Sequence, residues 1–199
     1  MGMTESEILT SNLRPTATAG GCPPEVSEPQ LQWFVMRATY CRELKVQAFL
    51  QQDNFETFVP MKKERTDNGV KYVAAVHNII FVHTNRSFMD VYKQQNAGLS
   101  LRYMMDRSTR KPMVVRDKEM EDFIRVVSEH DPDDILYLDN PEAVLKKGTP
   151  ITIVYGPYKD RKGYLLRIRR DRKVVMQLAG VVACALSGIP IEHIKVDEE

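Results

Sequence analysis

Two modules of the α+β class are the prediction for this 199-residue chain. The first, residues 31–130, is an antiparallel sheet with helices in β-α-β-β-α-β order. The second, residues 148–199, is a small five-stranded β-barrel. Three observations carry this. Between residues 31 and 130 apolar spacing switches repeatedly between period two and helical i, i+3, i+4. From Gly148 onward the patterns are all β. Between them, "DPDDILYLDNPEAVLKK" (131–147) holds two prolines and five acids, the composition of a solvated acidic linker. Residues 1–30, rich in Thr, Ser, Pro and Gly, read as a disordered leader.

In "LQWFVMRA" Trp33, Val35 and Arg37 alternate with Phe34, Met36 and Ala38, as in a strand. Arg42–Asp53 follows as a helix, with Val46, Phe49 and Leu50 on one face. "ETFVP" is a short strand stopped by Pro60, and Asn68-Gly69 suits the type I′ turn of a hairpin. "NIIFVHT" is a buried strand. A second helix carries Ser87-x-x-Asp90 as a capping box, with Phe88, Val91 and Tyr92 inward. "LSLRYMMD" is another strand. Asp117 then caps a helix whose Met120, Phe123, Ile124 and Val127 share a face. "TPITIVYG", "GYLLRIRR", "KVVMQL", "VVACAL" and "IPIEHIKV" are the five strands of the barrel, whose closure hides edges.

Net charge is +1, but it is unevenly spread. Residues 1–30 carry one base and four acids, and residues 131–147 two and five. The two modules carry sixteen bases to twelve acids and nine to six. Mildly basic modules favour polyanions or acidic protein surfaces. Cys22, Cys41 and Cys184 are odd in number and far apart, with no metal-ligand spacing, which fits reduced thiols in the cytoplasm. No apolar run reaches the ~20 residues of a membrane span, and the N-terminus lacks a secretory signal pattern. His77, His83, His130 and His193 are scattered, and no phosphate loop, dinucleotide fingerprint or metalloprotease motif occurs. The expectation is a protein that is not an enzyme, with no catalytic residue, metal or cofactor.

The first strand-to-helix corner crowds Arg37, Tyr40, Arg42 and Lys45 together. Arg42 and Lys45 at a helix start oppose its dipole, which points to an external anion. A solvated surface pair is the other reading. The hairpin's Lys62, Lys63, Arg65 and Lys71 suit either a nucleic acid or an edge kept charged against strand addition. Eight bases lie among residues 158–173; they either hold RNA or solubilise the barrel.

"WFVMRATYCRELKVQAFL", "FETFVPM", "HNIIFV" and the helix after "PMVV" resemble the N-terminal domain of the NusG family of transcription elongation factors. "GTPITIVYGPYKDRKGYLLRI" is similar to its KOW motif, and the resemblance covers residues 31–199. "RATYCRELK", "AAVHNIIFVHT" and "LRYMMD" look most like the UpxY-type antiterminators of capsular polysaccharide operons in Bacteroides. The resemblance implies a monomeric, cytoplasmic antitermination factor that binds the clamp helices of the largest RNA polymerase subunit and suppresses pausing. It places Arg37, Tyr40, Val76, Asn78 and Ile79 at the polymerase. It turns Arg42 and Lys45 towards the non-template DNA. It gives Tyr155, Pro157 and Tyr158 to a partner of the KOW module, a ribosomal protein or termination factor. The alternative is an RNA-binding or ribosome-associated KOW protein that does not act through polymerase.

Overall fold

The computed structural model describes residues 30–67, 69–138, 148–156, 158–168 and 171–197. The leader up to residue 29, Asn68 of the hairpin turn and the second half of the predicted linker lie outside the described residues.

A sheet is built around strand β1 (Gln32–Ala38). Its neighbours are β5 (Ile79–Thr84) on one side, and β6 (Leu101–Tyr103) and the two-residue β7 (Val114–Val115) on the other, all antiparallel. Strand β2 (Glu56–Phe58) extends the far edge of β5. Strands β3 (Met61–Thr66) and β4 (Gly69–Ala74) form a separate two-stranded hairpin. Helices α1 (Glu43–Gln52) and α2 (Arg86–Gln95) belong to one side of the main sheet, α3 (Asp117–Glu129) to the other.

Because side chains alternate along a strand, β1 feeds two cores. Phe34, Met36 and Ala38 pack with Val46, Leu50, Met89 and Tyr92 beneath α1 and α2. Trp33 and Val35 join Phe81, Met120, Phe123 and Val126 beneath α3. Strand β5 divides in the same way, with Ile80 and Val82 on the first side and Ile79 and Phe81 on the second.

The helices depart from the predicted faces. In α2 Met89 and Tyr92 are buried, while Phe88 and Val91 are more than half exposed. Asn85, not Ser87, is the cap; its side chain accepts hydrogen bonds from the backbone N–H groups of Ser87 and Phe88. The Tyr92 hydroxyl donates to Asp53 at 2.5 Å and holds this rotation. Asp90 instead lies near Arg86 and Lys93 on the surface. Phe49 of α1 is likewise exposed, with only Val46 and Leu50 buried of its predicted trio.

The second sheet has six strands, not five. They are β8 (Ile135–Tyr137), β9 (Thr149–Ile153), β10 (Lys162–Ile168), β11 (Asp171–Leu178), β12 (Val182–Leu186) and β13 (Ile194–Val196), in the order β13-β9-β10-β11-β12-β8. The sixth comes from the stretch expected to be linker. Three of its five acids precede the strand, whose Leu136 and Tyr137 pair with Ala185 and Cys184 and whose Ile135 is core. Gly163 is required where β10 meets β11, since a Cβ there would lie 2.8 Å from the Val175 carbonyl oxygen. Burial pushes the Cys184 thiol up to about 12, so it packs as a small apolar group.

The two sheets share a core. Met176, Leu178, Val182, Cys184 and Leu186 belong to the same buried cluster as Trp33, Phe81 and α3. Glu119 of α3 accepts a hydrogen bond from the Ala179 N–H at 3.2 Å. The hairpin is tied down as well: Lys63 Nζ lies 2.7 Å from Asp133, which raises the lysine's pKa and lowers the aspartate's.

Phe81 is fully buried at the centre of this shared core. Phe81→Ala is expected to destabilise the chain by about 3–5 kcal/mol, read from urea unfolding followed by far-UV circular dichroism.

Candidate functional site

The corner between β1 and α1 is an unusual piece of backbone. Tyr40 and Cys41 are consecutive non-glycine residues in the left-handed region, with φ of 63° and 50°. Such residues each cost free energy and persist only where neighbours over-determine them. Here the neighbour is Asn78, itself at φ 63°. Its backbone carbonyl accepts from the Ala38 N–H at 3.0 Å, and its side-chain Oδ1 accepts from the Cys41 N–H at 2.9 Å. One residue of the β4–β5 turn thus clamps both ends of the corner.

The clamp pushes Tyr40 into solvent, where it is 79% exposed. Arg42 follows, and its guanidinium lies 5.6 Å from the centre of the Tyr40 ring. Arg42 precedes the first turn of α1 and makes no side-chain cap. The first helical residue is Glu43, only 3% exposed; one carboxylate oxygen has no hydrogen-bond partner and the other lies 3.9 Å from His77 Nδ1. This acid at the positive end of α1 offsets the unfavourable placing of Arg42 and Lys45.

Of the five residues expected to face a partner, three define this surface. Arg37 and Tyr40 are exposed, and Asn78 lies part-buried between them as the clamp. With Thr39, Arg102 and Tyr103 they line a depression of about 360 Å³. Val76 is half-buried against the core under α3. Ile79 is a correction: at 8% exposure it sits inside that core, directly opposite Arg37 in the β1–β5 ladder. A residue in a central strand with packed layers on both sides cannot reach a partner. Arg102 and Tyr103 are functional-surface residues outside the sequence expectation. Their signal was the "LRY" strand pattern, but only the β1–β6 register brings them to the corner.

The second module departs from expectation at its first turn. Tyr155 is 69% exposed, with its ring edge-on to His193. Pro157 lies outside the described residues. Tyr158 turns inward: its ring stacks on His130 at 4.9 Å and its hydroxyl lies 2.9 Å from His130 Nδ1. Arg161, 6% exposed, donates to the Asp122 backbone carbonyl at 2.6 Å and lies 3.0 Å from its carboxylate. The turn read as a contact for an outside partner therefore grips α3.

A family model described as NusG, "Transcription termination factor nusG", matches residues 31–124. Among solved structures, one titled "Domain interaction in Thermotoga maritima NusG" aligns with a TM-score of 0.49 and 16% identity, over 85% of this chain and 98% of that one. No curated protein matches the chain by sequence.

Asn78→Ala removes the acceptor that closes the corner and the side chain best suited to its own backbone angle. A loss of about 1–3 kcal/mol is expected. Hydrogen exchange should speed up selectively at the Cys41 amide, with Asn78→Asp, which keeps an acceptor, less affected.

Proposed function

We propose, from the premise that residues 31–124 are a NusG-family domain, that this chain is a transcription antitermination factor acting on RNA polymerase. The family domain is the observation that carries the reading. The geometry supports it through the corner, a rigid and exposed arginine–tyrosine surface held out by Asn78 rather than folded into the core. Val76 and Asn78 face the clamp helices of the largest polymerase subunit. Arg37 and Tyr40 belong to that same face, and Arg42 and Lys45 lie towards the non-template strand.

The action is a shift in population. A factor that binds the elongating form of polymerase more tightly than the paused form depletes the pause. A preference of about 1–2 kcal/mol changes pause occupancy about 5- to 30-fold. No bond is made or broken by the factor, so no catalytic group is needed. The setting is the cytoplasm, and the operon-specific, UpxY-like role at capsular polysaccharide genes is the form of this activity that the sequence motifs favour. Of the two tyrosines of that turn, Tyr155 is the one exposed to a ribosomal protein or termination factor, because Tyr158 is occupied against His130.

The reading is tested by co-purification of DNA-free core polymerase, or of its isolated clamp-helix hairpin, with the tagged full chain. Arg37→Glu combined with Tyr40→Glu is expected to abolish capture while leaving the urea midpoint unchanged, since both side chains are exposed. Equal capture by the wild type and this variant overturns it, as does binding of ribosomes but not polymerase.

A further inference from the structure

Phe88 and Val91 of α2 and Leu31 just before β1 are each more than half exposed, and all three border one hollow of about 760 Å³. Single exposed apolar residues are ordinary, but several around one hollow mark a binding surface. Phe55 lines it too, buried itself, with its ring 5.6 Å from that of Phe88. The exposure is enforced, because the Asn85 cap and the Tyr92–Asp53 bond set the rotation that turns Phe88 and Val91 outward. Asp53 and Glu56 stand on the rim, and among the described residues that line the hollow none is a lysine or arginine. Glu56 is paired with His83 at 2.8 Å, but the partner of Asp53 is the neutral Tyr92 hydroxyl, and α1 has no base in its last turn. The hollow is thus apolar with an acidic border at the α1 end.

From these observations we infer that residues 8–14 of the chain's own N-terminal leader seat in this hollow. The chain enters β1 past Leu31, so the leader is attached at the hollow's own border. Every leucine and isoleucine of residues 1–29 falls in one run, Ile8, Leu9 and Leu13, and Arg14, the sole base of that stretch, follows directly. The spacing i, i+1, i+5 puts the three on one side of a helix, within about 140° at roughly 100° per residue. Thr4-x-x-Glu7 is a capping box ahead of them, and Pro15 a stop behind. An apolar run that ends in a base matches an apolar floor with an acidic border, and the acids Glu5 and Glu7 lie on the other side of Ile8 from Arg14. Residues 14–30 span at most about 56–61 Å, several times the breadth of a helix, which is ample to fold back onto the hollow. Attachment to the same chain makes the encounter intramolecular, an advantage that a second copy or a foreign helix lacks. The hollow lies at the start of β1 and the corner at its end, roughly 23 Å of strand away. The leader therefore leaves the corner open, and its seat does not depend on the polymerase reading.

The test uses the full chain and the neutral apolar dye Nile red. Wild type is compared with a leader variant carrying Ile8→Ser, Leu9→Ser and Leu13→Ser. The variant is expected to bind severalfold more dye at an unchanged urea midpoint, and Phe88→Ser with Val91→Ser added to it should remove the gain. Emission of Trp33, the chain's one tryptophan, should shift in the leader variant as well, since its ring stacks on His83 beside the hollow. Equal dye binding by wild type and leader variant overturns the inference, as does a gain that survives the two α2 substitutions. Cross-linking separates the occupants. With Cys22→Ser and Cys41→Ser in place, Leu13→Cys with Val91→Cys should form a disulfide within one chain under mild oxidation, because such a bond needs Cβ atoms about 3.5–4.5 Å apart. Leu13→Cys with Tyr72→Cys, on the exposed hairpin, should form one far more slowly. Equal rates for the two pairs overturn the seat, and disulfides chiefly between two chains overturn it in favour of a second copy.

Discussion

Burial of both faces of strand β1 is the constraint from which the architecture follows. A strand can present alternate side chains to two cores only if something covers each side. Helices α1 and α2 cover Phe34 and Met36. On the other side α3 covers Trp33 and Val35, and α3 is itself backed by the second sheet through Met176, Leu178 and Cys184. The two modules are joined by a shared apolar cluster and by polar ties. The buried Arg161 on Asp122 is the most enclosed of these, and a guanidinium so placed holds its position because leaving it unpaired would cost several kcal/mol.

That burial leaves the corner after β1 as the place where the strand's chemistry surfaces. Beyond Val35 the inward face of β1 ends, and Arg37, at the next position of that face, reaches solvent. Two left-handed residues then reverse the chain within a very short span, and Asn78 stabilises a turn that sequence propensity alone disfavours. Strain of this kind, held by a dedicated clamp, displays an exposed tyrosine among three arginines in a fixed geometry.

The second module shows the same economy in reverse. Tyr158 has the amphipathic character of an interface residue, and it is spent within the molecule, stacked on His130 at the end of α3. Tyr155, three residues earlier, stays in solvent. The difference lies in the direction of the turn, which places one ring over α3 and the other beyond it. Nothing in the spacing of two tyrosines in a Gly-Pro turn distinguishes them.

Much of the fold was legible from local pattern. Strand alternation in "WFVMRA", the helical spacing of Met120 and Phe123, and the all-β character after Gly148 reflect short-range rules that tertiary structure rarely reverses. What local pattern leaves open is rotation and register. The α2 pattern admits two inner faces, and the Asn85 cap with the Tyr92–Asp53 bond selects the one that exposes Phe88. The "DILYL" stretch looked like linker because its acids outweigh three strand residues; pairing with β12 made it a strand. The basic corner was visible as composition, and the NusG-like motifs were visible as spelling. That Ile79 is sealed while Arg37 opposite is free, and that Arg102 joins Arg37 from far along the chain, depended on the β1–β5 and β1–β6 registers. Sequence by itself determined which residue types and elements exist, because those follow from neighbours a few positions apart. Tertiary structure alone decided which side chains meet at the surface, because hydrogen-bond register between distant strands sets that.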